Sequence, residues 1–406
     1  MTKILRITTV INRGSIGRTA EQLGELIQAE GWESYICYGR ESHSSTSKLV
    51  PIGNKFSVFF HVIMTRVLGF HGRYASVYAT HKLTKDIQKI SPDIIHLHNV
   101  HGYYLNYKIL FKFLAKYNRP VVWTHHDCWP ISGHCTYYEI RGKRCDKWLT
   151  GCYNCPRYKE YPNSLFFDRS EFEYKDKKKY FNLINNLTIV AVSEYVKNSL
   201  AESFLRNNKI IHIYNGIDTE KFKPYDCSEE TRKKYNLGNN VILMAVAYQW
   251  DNEKGFNDYI KLSKMLDSNF TIVLVGCTDD DREKLPGGMI GLNRTDSLEE
   301  LGKLYSVASI VLNLSTAEAF GKTTPEGLAC GVPSVVYNVT ASPELVDYKT
   351  GRVVEVGDLT GVKKAIDELM SIDRITLQKD CRDRAVSLFN MKTNFYKYIE
   401  LYKSLL

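Results

Sequence analysis

The sequence predicts an α/β protein made of two Rossmann-like domains, and three observations lead to this prediction. The chain has 406 residues, and single hydrophobic cores stop growing at roughly 250–300 residues, which favours two domains. Short apolar segments alternate with amphipathic ones, a pattern typical of parallel sheets covered by helices on both faces. The alternation restarts near the middle of the chain, and each series is long enough for a complete sheet.

The first half begins with a strand, a glycine-containing turn and a helix whose apolar residues fall on one stripe. Two later strands end in histidine and aspartate residues, which can take part in catalysis or ligand binding. The predicted elements are strands at 4–10, 34–40, 92–98, 119–127 and 187–193, a turn at 12–18 and a helix within 19–32. This half forms the predicted first domain, residues 1–195.

The second half repeats the pattern. Its predicted elements are a leading strand at 209–218, strands at 241–248, 270–276, 309–315 and 333–338, and helices at 255–267 and from 325 onwards. We assign residues 196–385 to the second domain and residues 386–406 to a helix that packs back on the first domain. Ligands of such folds bind beyond the carboxyl ends of the strands, so a cleft between the domains is the expected site.

Composition and charge indicate the class of protein and its expected location. The chain is 44% hydrophobic and 24% charged, as in ordinary soluble proteins. Its apolar runs are too short to span a membrane, and the N-terminus resembles a buried strand more than a signal peptide, so we expect a cytoplasmic location. The net charge of +9 suits either anionic partners or a solvated basic surface.

Two carboxylates, Glu318 and Glu326, flank a short loop with the sequence "AFGKT". Thr324 and Pro325 suit the N-cap and first position of a helix, so Glu326 falls in its first turn. Backbone N–H groups near a helix start bind phosphate, and carboxylates bind hydroxyls, so the pattern suits a nucleotide-sugar. The alternative is that Glu326 only complements the helix dipole and Glu318 is solvated.

The surrounding motifs carry a family resemblance. "EAFGKTTPE" resembles the E-x7-E element of retaining GT-B glycosyltransferases of glycosyltransferase family four. "NGID" (215–218), "EKG" (253–255), "GVPSVV", "ASPELV" and "KTGRVV" follow the order of the family and cover most of the second domain. The resemblance implies a GT-B fold and transfer of a sugar from a nucleoside diphosphate to an acceptor.

The resemblance also implies roles for individual residues. Glu318 would contact the transferred sugar and serve catalysis, and Glu326 would bind the nucleotide ribose. The residues implied to hold the sugar and phosphate of the donor by this loop are Phe320, Gly321, Lys322 and Thr323.

One position departs from the family pattern. The family usually has an Arg six residues before the Lys of the "KG" motif, and both grip the diphosphate. Here Lys254 is present, but the expected Arg is Tyr248. Lys254 would then act alone, or Arg18 or Arg294 would supply the second cation.

Glycines of the first domain suggest a second contact with the donor. Gly14 and Gly17 lie between a strand and a helix, where they permit close approach of the backbone to phosphate or sugar. A tight turn alone also explains them. By resemblance, they belong to the glycine loop that faces the donor.

Histidines lie at the ends of two predicted strands of the first domain. His126 and Asp127 end the strand at 119–127, and the resemblance assigns His126 a place near the reacting sugar, with Asp127 beside it. His98 ends the strand at 92–98, and together with Asn99 and His101 it suits an acceptor pocket for carbohydrate. The alternatives are a structural histidine and ordinary loop packing.

A cysteine-rich insertion is predicted at about 128–160. Its C-x2-C pair and two further thiols match a closed structural zinc site, while reduced thiols and disulfides remain alternatives. The predicted ligands are Cys135, Cys145, Cys152 and Cys155. The run "HDCWPISGHC…GCYNCP" resembles a subgroup of bacterial surface-polysaccharide glycosyltransferases.

Residues 55–89 mix aromatic and basic residues at helical spacing. A core helix explains the apolar residues, but a basic and aromatic helix also suits peripheral contact with the inner face of the plasma membrane.

These observations predict a metal-independent retaining glycosyltransferase that uses a glycan or lipid-linked acceptor in the synthesis of capsule, exopolysaccharide or O-antigen. A nucleotide-sugar epimerase of GT-B fold is one alternative, but it does not need the E-x7-E element in this form. A zinc-dependent nucleic-acid-binding protein is the other. Because basic residues are dispersed rather than gathered in a stripe, we expect no nucleic-acid partner.

Overall fold

The computed structural model describes residues 1–41 and 43–406. Internal contacts divide the chain into two compact units. The first unit comprises Met1–Tyr138, Cys145–Ile213 and Phe395–Leu406, and the second comprises Glu139–Arg144 and Tyr214–Asn394. Each unit is built around its own parallel sheet.

The strands in chain order are β1 (Lys3–Val10), β2 (Glu33–Glu41), β3 (Lys48–Pro51), β4 (Ile94–Leu97), β5 (Val121–His125), β6 (Glu139–Ile140), β7 (Lys143–Arg144), β8 (Leu187–Ala191), β9 (Lys209–His212), β10 (Val241–Val246), β11 (Phe270–Val275), β12 (Met289–Leu292), β13 (Ile310–Asn313), β14 (Ser334–Tyr337) and β15 (Gly351–Val354). In the described part of the chain, the first sheet has the order β3-β2-β1-β4-β5-β8-β9 and the second β12-β11-β10-β13-β14-β15, and both are parallel throughout. Strands β6 and β7 form a small antiparallel hairpin.

The helices are α1 (Gly14–Ala29), α2 (Lys55–Leu68), α3 (Val77–Ile90), α4 (Tyr107–Tyr117), α5 (Lys147–Thr150), α6 (Ser170–Phe181), α7 (Glu194–Glu202), α8 (Ser228–Lys234), α9 (Phe256–Ser263), α10 (Asp279–Arg282), α11 (Leu298–Val307), α12 (Thr323–Ala329), α13 (Leu359–Met370), α14 (Arg374–Phe389) and α15 (Met391–Leu405). Short 3-10 turns lie at Trp129–Ile131 and Ser342–Leu345. No helix in the described ranges is both long enough and apolar enough to cross a bilayer.

The central strands are buried on both faces, as their continuous apolar runs predict. Strands β4, β5, β8, β13 and β14 consist entirely of buried residues. Since parallel strands end at the same edge of a sheet, the loops after β1, β4 and β5 lie together in the first unit. The loops after β10, β12 and β13 lie at one edge in the second.

Strand β9 joins the first sheet, where it pairs with β8 from Thr188↔Lys209 to Ala191↔His212. The sequence pattern instead places 209–218 at the start of the second series. Its strand character was predicted correctly, but the sheet that a strand joins depends on the backbone edge it pairs with. Along the sequence, the first unit therefore extends to Ile213 and the second resumes at Tyr214, whereas the expected boundary was between residues 195 and 196.

The C-terminal segment contains a break, because α14 ends at Phe389 and α15 starts at Met391. From Phe395 onwards the chain groups with the first unit. There, the Tyr402 hydroxyl lies 2.6 Å from His96 Nδ1, and the Tyr398 hydroxyl lies 3.2 Å from Thr124 Oγ1. These contacts join the terminal helix to strands β4 and β5.

Two helix starts differ from the sequence expectation. Helix α1 begins at Gly14, so most of the predicted turn at 12–18 is helical and Gly17 lies in the first turn. Helix α12 begins at Thr323, with Lys322 as its N-cap. Thr324 therefore does not cap the helix; its hydroxyl instead accepts a hydrogen bond from Asn313 Nδ2 at 3.1 Å. Thr324 thus contacts a residue on a neighbouring strand instead of capping its own helix.

The predicted insertion at about 128–160 is shared between the units. Residues 139–144, which form the β6–β7 hairpin, group with the second unit, while the flanking cysteine-containing segments group with the first. The Arg141 amide donates to the Thr316 carbonyl at 3.4 Å. The hairpin thus contacts the loop that precedes Glu318.

Candidate functional site

Lys254 and Glu318 form an ion pair at the carboxyl edge of the second sheet. The two residues follow the neighbouring strands β10 and β13, and Lys254 Nζ lies 2.5 Å from Glu318 Oε1. Burial alone would lower the pKa of Lys254, but the charge and hydrogen bond of Glu318 outweigh it, so the pKa is raised. The ammonium group therefore stays charged at neutral pH.

Backbone contacts hold the loops of this pair together. The Thr316 amide donates to the Glu253 carbonyl at 2.7 Å, and the Glu318 amide donates to Thr340 Oγ1 at 2.8 Å. Gly255 has a φ of +74°, and a Cβ there would lie 2.3 Å from the Leu314 carbonyl oxygen. Glycine is therefore required for the loop after β10 to approach the end of β13.

Gly321 lies against the Glu318 side chain. Its φ is +83°, and a Cβ at this position would lie 3.4 Å from Glu318 Cγ and 3.3 Å from Asn313 Nδ2. The preceding Phe320 is buried, with its ring centre 5.8 Å from that of Tyr214. Packing of Phe320 thus positions the loop, while Gly321 keeps space beside the carboxylate. Lys322 and Thr323, at the start of α12, are half-buried.

Glu326 is buried in α12 and has a buried phenol as a partner. The Tyr305 hydroxyl, on α11, donates to Glu326 Oε2 at 3.2 Å. Burial, with the Glu326 charge next in effect, raises the pKa of Tyr305 well above its usual value, so the phenol remains a donor. No pattern in the sequence indicated the contact between Tyr305 and Glu326. Together with Thr316 and Thr340, Tyr305 is a site residue that sequence reasoning missed.

Arg294 and Tyr248 form a stacked pair at the same edge of the sheet. The guanidinium carbon of Arg294 lies 3.5 Å from the centre of the Tyr248 ring, and Nη2 donates to the Tyr248 carbonyl at 2.6 Å. Both residues are exposed, in the loops after β12 and β10. Thus the residue in place of the expected arginine holds an arginine from another loop. Arg18, the other cation considered, lies on α1 of the first unit.

In the first unit, His98 and His126 follow the neighbouring strands β4 and β5. His98 Nδ1 lies 3.1 Å from His126 Nε2, and the rings are stacked with an interplanar angle of 22°. Burial lowers the pKa of His98 well below the usual histidine value, assisted by the nearby His96. His98 is therefore neutral at pH 7.

His101 and Asp127 form a second contact between the same two loops. His101 Nε2 lies 2.8 Å from Asp127 Oδ2, and the Trp129 amide donates to Asp127 Oδ1 at 2.9 Å. Burial alone would raise the pKa of Asp127, but His101 and the Trp129 amide lower it, so the carboxylate stays ionised. The structure thus brings both predicted histidine loops together.

The predicted glycine loop follows β1, next to β4 in the sheet. A Cβ at Gly17 would lie 3.1 Å from the Asn12 nitrogen and 3.2 Å from the Val10 carbonyl oxygen, so a larger residue would crowd the turn. Gly14 has a φ of +63° and open space around it. The Asn99 carbonyl accepts a hydrogen bond from the Tyr104 hydroxyl at 2.6 Å, which fixes the start of the loop that carries the predicted acceptor residues.

The four predicted zinc ligands are thiols that influence one another electrostatically. Burial raises the pKa of Cys135 and Cys152 to about 11 and that of Cys155 to about 12, and the neighbouring thiols, Cys145 included, act in the same direction. None of the ten cysteines forms a disulfide, and all of them lie within the described residues. Across residues 1–41 and 43–406, however, no three His, Cys, Asp or Glu side chains are arranged to hold one metal ion. The zinc site stays a prediction.

Comparison with known families decides the assignment. The family model described as Glycosyltransferase Family 4 matches residues 16–221. The model described as Glycosyl transferases group 1 matches residues 228–387. The chain belongs to glycosyltransferase family 4. As a member of this family, it is a glycosyltransferase, which confirms the prediction made from the carboxylate motif.

Two relatives of this family 4 glycosyltransferase have names that refer to polysaccharide synthesis. The chain is 22% identical over 435 residues to the putative colanic acid biosynthesis glycosyl transferase WcaC of Escherichia coli strain K12, covering 99% of this chain and 100% of the relative. It is 24% identical over 264 residues to the O-antigen chain mannosyltransferase RfbU of Salmonella typhimurium, covering 61% and 63% of the two chains.

Solved structures confirm the GT-B fold of the family 4 enzyme. HepE of Anabaena in complex with UDP aligns with a TM-score of 0.70 and 15% identity, covering 99% of this chain and 100% of HepE. A glycosyltransferase of Rickettsia africae aligns with a TM-score of 0.69 and 18% identity, covering 100% and 98%. The two parallel-sheet units are thus the two domains of that fold.

Proposed function

We propose that the enzyme transfers a sugar, with retention of configuration, from a nucleoside diphosphate to a glycan or lipid-linked glycan during bacterial surface-polysaccharide synthesis. The ion pair between Lys254 and Glu318 at the edge of the second sheet carries this proposal. The names of WcaC and RfbU support the polysaccharide context. Solved complexes of HepE with UDP and UDP-glucose support a nucleotide-sugar donor.

Lys254 would stabilise the departing diphosphate. The Glu318 carboxylate keeps its ammonium group charged, and fixed charges aimed at a developing anion lower the barrier of the chemical step. Glu326, oriented by Tyr305, would accept hydrogen bonds from the ribose hydroxyls. The loop at Phe320 and Gly321, with Lys322 and Thr323, would hold the sugar and phosphate of the donor.

Retention would follow from attack on the same face that the diphosphate leaves. The sugar would pass through an oxocarbenium-like state, and the departing phosphate would assist the acceptor hydroxyl. Glu318 is already compensated by Lys254, so its carboxylate suits hydrogen bonds to the transferred sugar better than nucleophilic attack. His126 and Asp127 would lie near the reacting sugar. We expect this chemistry to need no metal ion.

His98, Asn99 and His101 would line the acceptor side. Their loop is tied to the loop of His126 and Asp127 by two side-chain contacts, so the acceptor pocket and the reacting sugar would be positioned together. A lipid-linked acceptor would require the enzyme to work at the inner face of the plasma membrane.

Release of UDP or GDP from a panel of nucleotide-sugars, with and without glycan acceptors, tests the proposal. We expect acceptor-dependent release that Glu318→Ala and Glu326→Ala abolish, while Glu355→Ala, elsewhere in the second unit, retains it. NMR of the product would show whether the anomeric configuration is retained. An epimerised donor without transfer, or tight DNA binding without turnover, would overturn the proposal in favour of the two alternatives, neither of which the comparisons favour.

We also propose that Cys135, Cys145, Cys152 and Cys155 bind a structural zinc ion. Their spacing supports this proposal, because a C-x2-C pair with two further thiols nearby is typical of structural zinc sites. Elemental analysis of protein purified without added metal tests it. One zinc per chain, lost together with thermal stability in Cys152→Ser/Cys155→Ser but retained in Cys227→Ser, is the expected result. Absence of zinc would overturn it.

A further inference from the structure

Helix α2 has an unusual distribution of polar and apolar side chains. A surface helix ordinarily buries its apolar stripe and exposes polar residues. On α2, five large apolar side chains are exposed instead, and their spacing (i, i+3, i+4, i+7 and i+11) puts them on one side of the helix. Their exposed fractions are 76% for Phe56, 62% for Phe59, 47% for Phe60, 40% for Ile63 and 38% for Val67. The alternative of a core helix over 55–89 therefore fails for α2, whereas α3 does bury Leu83 and Ile87.

The buried side of α2 is held by polar contacts. His61 Nδ1 lies 2.8 Å from Ser76 Oγ, and the Thr65 hydroxyl donates to the Phe70 carbonyl at 3.0 Å. The side chains of His61 and Thr65 are buried. Because specific polar contacts fix this orientation, the apolar stripe faces outward as part of the folded structure.

A second apolar segment from a distant part of the sequence lies beside the end of α2. Leu165, Phe166 and Phe167 are 49%, 65% and 44% exposed. The Leu165 amide donates to the Arg66 carbonyl at 2.7 Å, which ties this segment to the helix. Arg169 adds a cation 5.0 Å from the centre of the Phe167 ring. We call the exposed residues of α2 and residues 165–167 the apolar face.

Two exposed basic residues, Lys55 and Arg66, lie on the helix that carries most of the apolar face. Residues 55–90 contain six Lys or Arg residues and one acidic residue, Asp86. A symmetric dimer through this face would bring the same positive charges together, which disfavours a second copy as its partner. An anionic lipid surface complements both the apolar and the basic residues.

We propose that the apolar face binds the surface of an anionic phospholipid bilayer, with the aromatic side chains inserted among the acyl chains and Lys55 and Arg66 at the headgroups. This inference names the surface that would serve a lipid-linked acceptor. Binding itself does not require sugar transfer, so it fails or holds independently of the proposed function.

Vesicle flotation of the full chain tests the inference. The probes are vesicles of phosphatidylcholine alone and of phosphatidylcholine mixed with phosphatidylglycerol. We expect wild type to float with the mixed vesicles, and Phe56→Ser/Phe59→Ser/Phe166→Ser to lose roughly a hundredfold in partitioning. Lys55→Gln and Arg66→Gln should each lose about fivefold, an effect that high salt reproduces in wild type.

The matched control is Tyr348→Ser/Ile375→Ser, since these side chains in the second unit are 77% and 79% exposed. It should bind as wild type does. Sedimentation of each variant monitors oligomeric state, and circular dichroism monitors folding. The inference is overturned if wild type binds neither vesicle, if the control loses binding equally, or if the face instead forms a dimer that the triple serine variant disrupts. If the triple variant misfolds, the charge variants and the salt series still test whether binding depends on Lys55 and Arg66.

Discussion

The guanidinium carbon of Arg294 lies 3.5 Å from the centre of the ring of Tyr248, the residue at the position where the family resemblance implies an arginine. The Tyr248 ring stacks against the cation, and the Tyr248 carbonyl accepts a hydrogen bond from it. A cation from the loop after β12 thus lies against the residue that replaces the expected arginine. This arrangement supports Arg294, rather than Arg18, as the second cation for the diphosphate.

Arg294→Ala should reduce kcat/KM for the donor by about tenfold to a hundredfold, the range expected for a lost hydrogen bond to a charged group. Adding Tyr248→Arg to this variant should recover much of the loss, since it restores a cation on the same loop. Initial rates of nucleotide release at varied donor concentration measure both effects.

Arg352→Ala serves as the control for Arg294→Ala, because Arg352 pairs with Glu368 at 2.8 Å elsewhere in the second unit. Equal losses in the two variants would contradict a specific role for Arg294.

Lys254→Met should reduce kcat by about a hundredfold to a thousandfold, as removal of a group that stabilises a developing anion does in other enzymes. It also leaves Glu318 without its ion-pair partner. Single-turnover kinetics at saturating donor separate this effect from weaker binding. Lys234→Met, which breaks the ion pair with Glu300 in the same unit, should leave kcat unchanged. A normal kcat in Lys254→Met would rule out the assigned role.

Tyr305→Phe should weaken donor binding while leaving the fold intact. The variant removes one hydrogen bond to the buried Glu326 carboxylate, and such bonds contribute about 1.5–3 kcal/mol. Without the Tyr305 contact, the Glu326 carboxylate would be less well oriented towards ribose, so the donor KM should rise more than kcat falls. Calorimetric titration with UDP or GDP checks the binding change directly. Tyr225→Phe, whose hydroxyl donates to the Lys221 carbonyl, is the matched control. Unchanged nucleotide affinity in Tyr305→Phe would contradict the positioning role.

Lys177 should make stability depend on pH. Its fully buried ammonium donates to the carbonyls of Trp129 and Ser132 at 2.8 and 2.9 Å. Burial lowers its pKa from the ordinary 10.5 to about 7, although Glu173 opposes the shift. Between these pH values the unfolded chain binds more protons than the folded one. The free energy of unfolding should therefore rise with pH, by up to about 1.4 kcal/mol per pH unit from this group.

Denaturant unfolding of wild type and Lys177→Met across that pH window isolates the contribution. Other groups titrate in both proteins, so the difference between the two curves is the quantity of interest. We expect wild type to gain stability relative to the variant as pH increases. Parallel curves would show that the Lys177 pKa is not lowered.

The sequence by itself determined the fold class and the edge of the second sheet that carries the carboxylates. Alternating apolar and amphipathic segments require parallel sheets, and parallel strands end at a common edge. The contact between Lys254 and Glu318 follows from that rule, because their loops leave the neighbouring strands β10 and β13. The spacing of the two glutamates in the motif indicated the kind of ligand expected at this edge, a nucleotide-sugar.

The contacts that the site residues make were visible only in the tertiary structure. Tyr305 reaches Glu326, and Arg294 reaches Tyr248, through packing between separate elements. Strand β9 joined the first sheet because the edge of β8 was available to it. Sequence periodicity can indicate that a helix has an apolar side, but it does not show which side is buried. In α2 the buried side carries His61 and Thr65, and the apolar side is exposed. Long-range contacts depend on the whole folded chain, whereas a sequence pattern reports only the preferences of nearby residues.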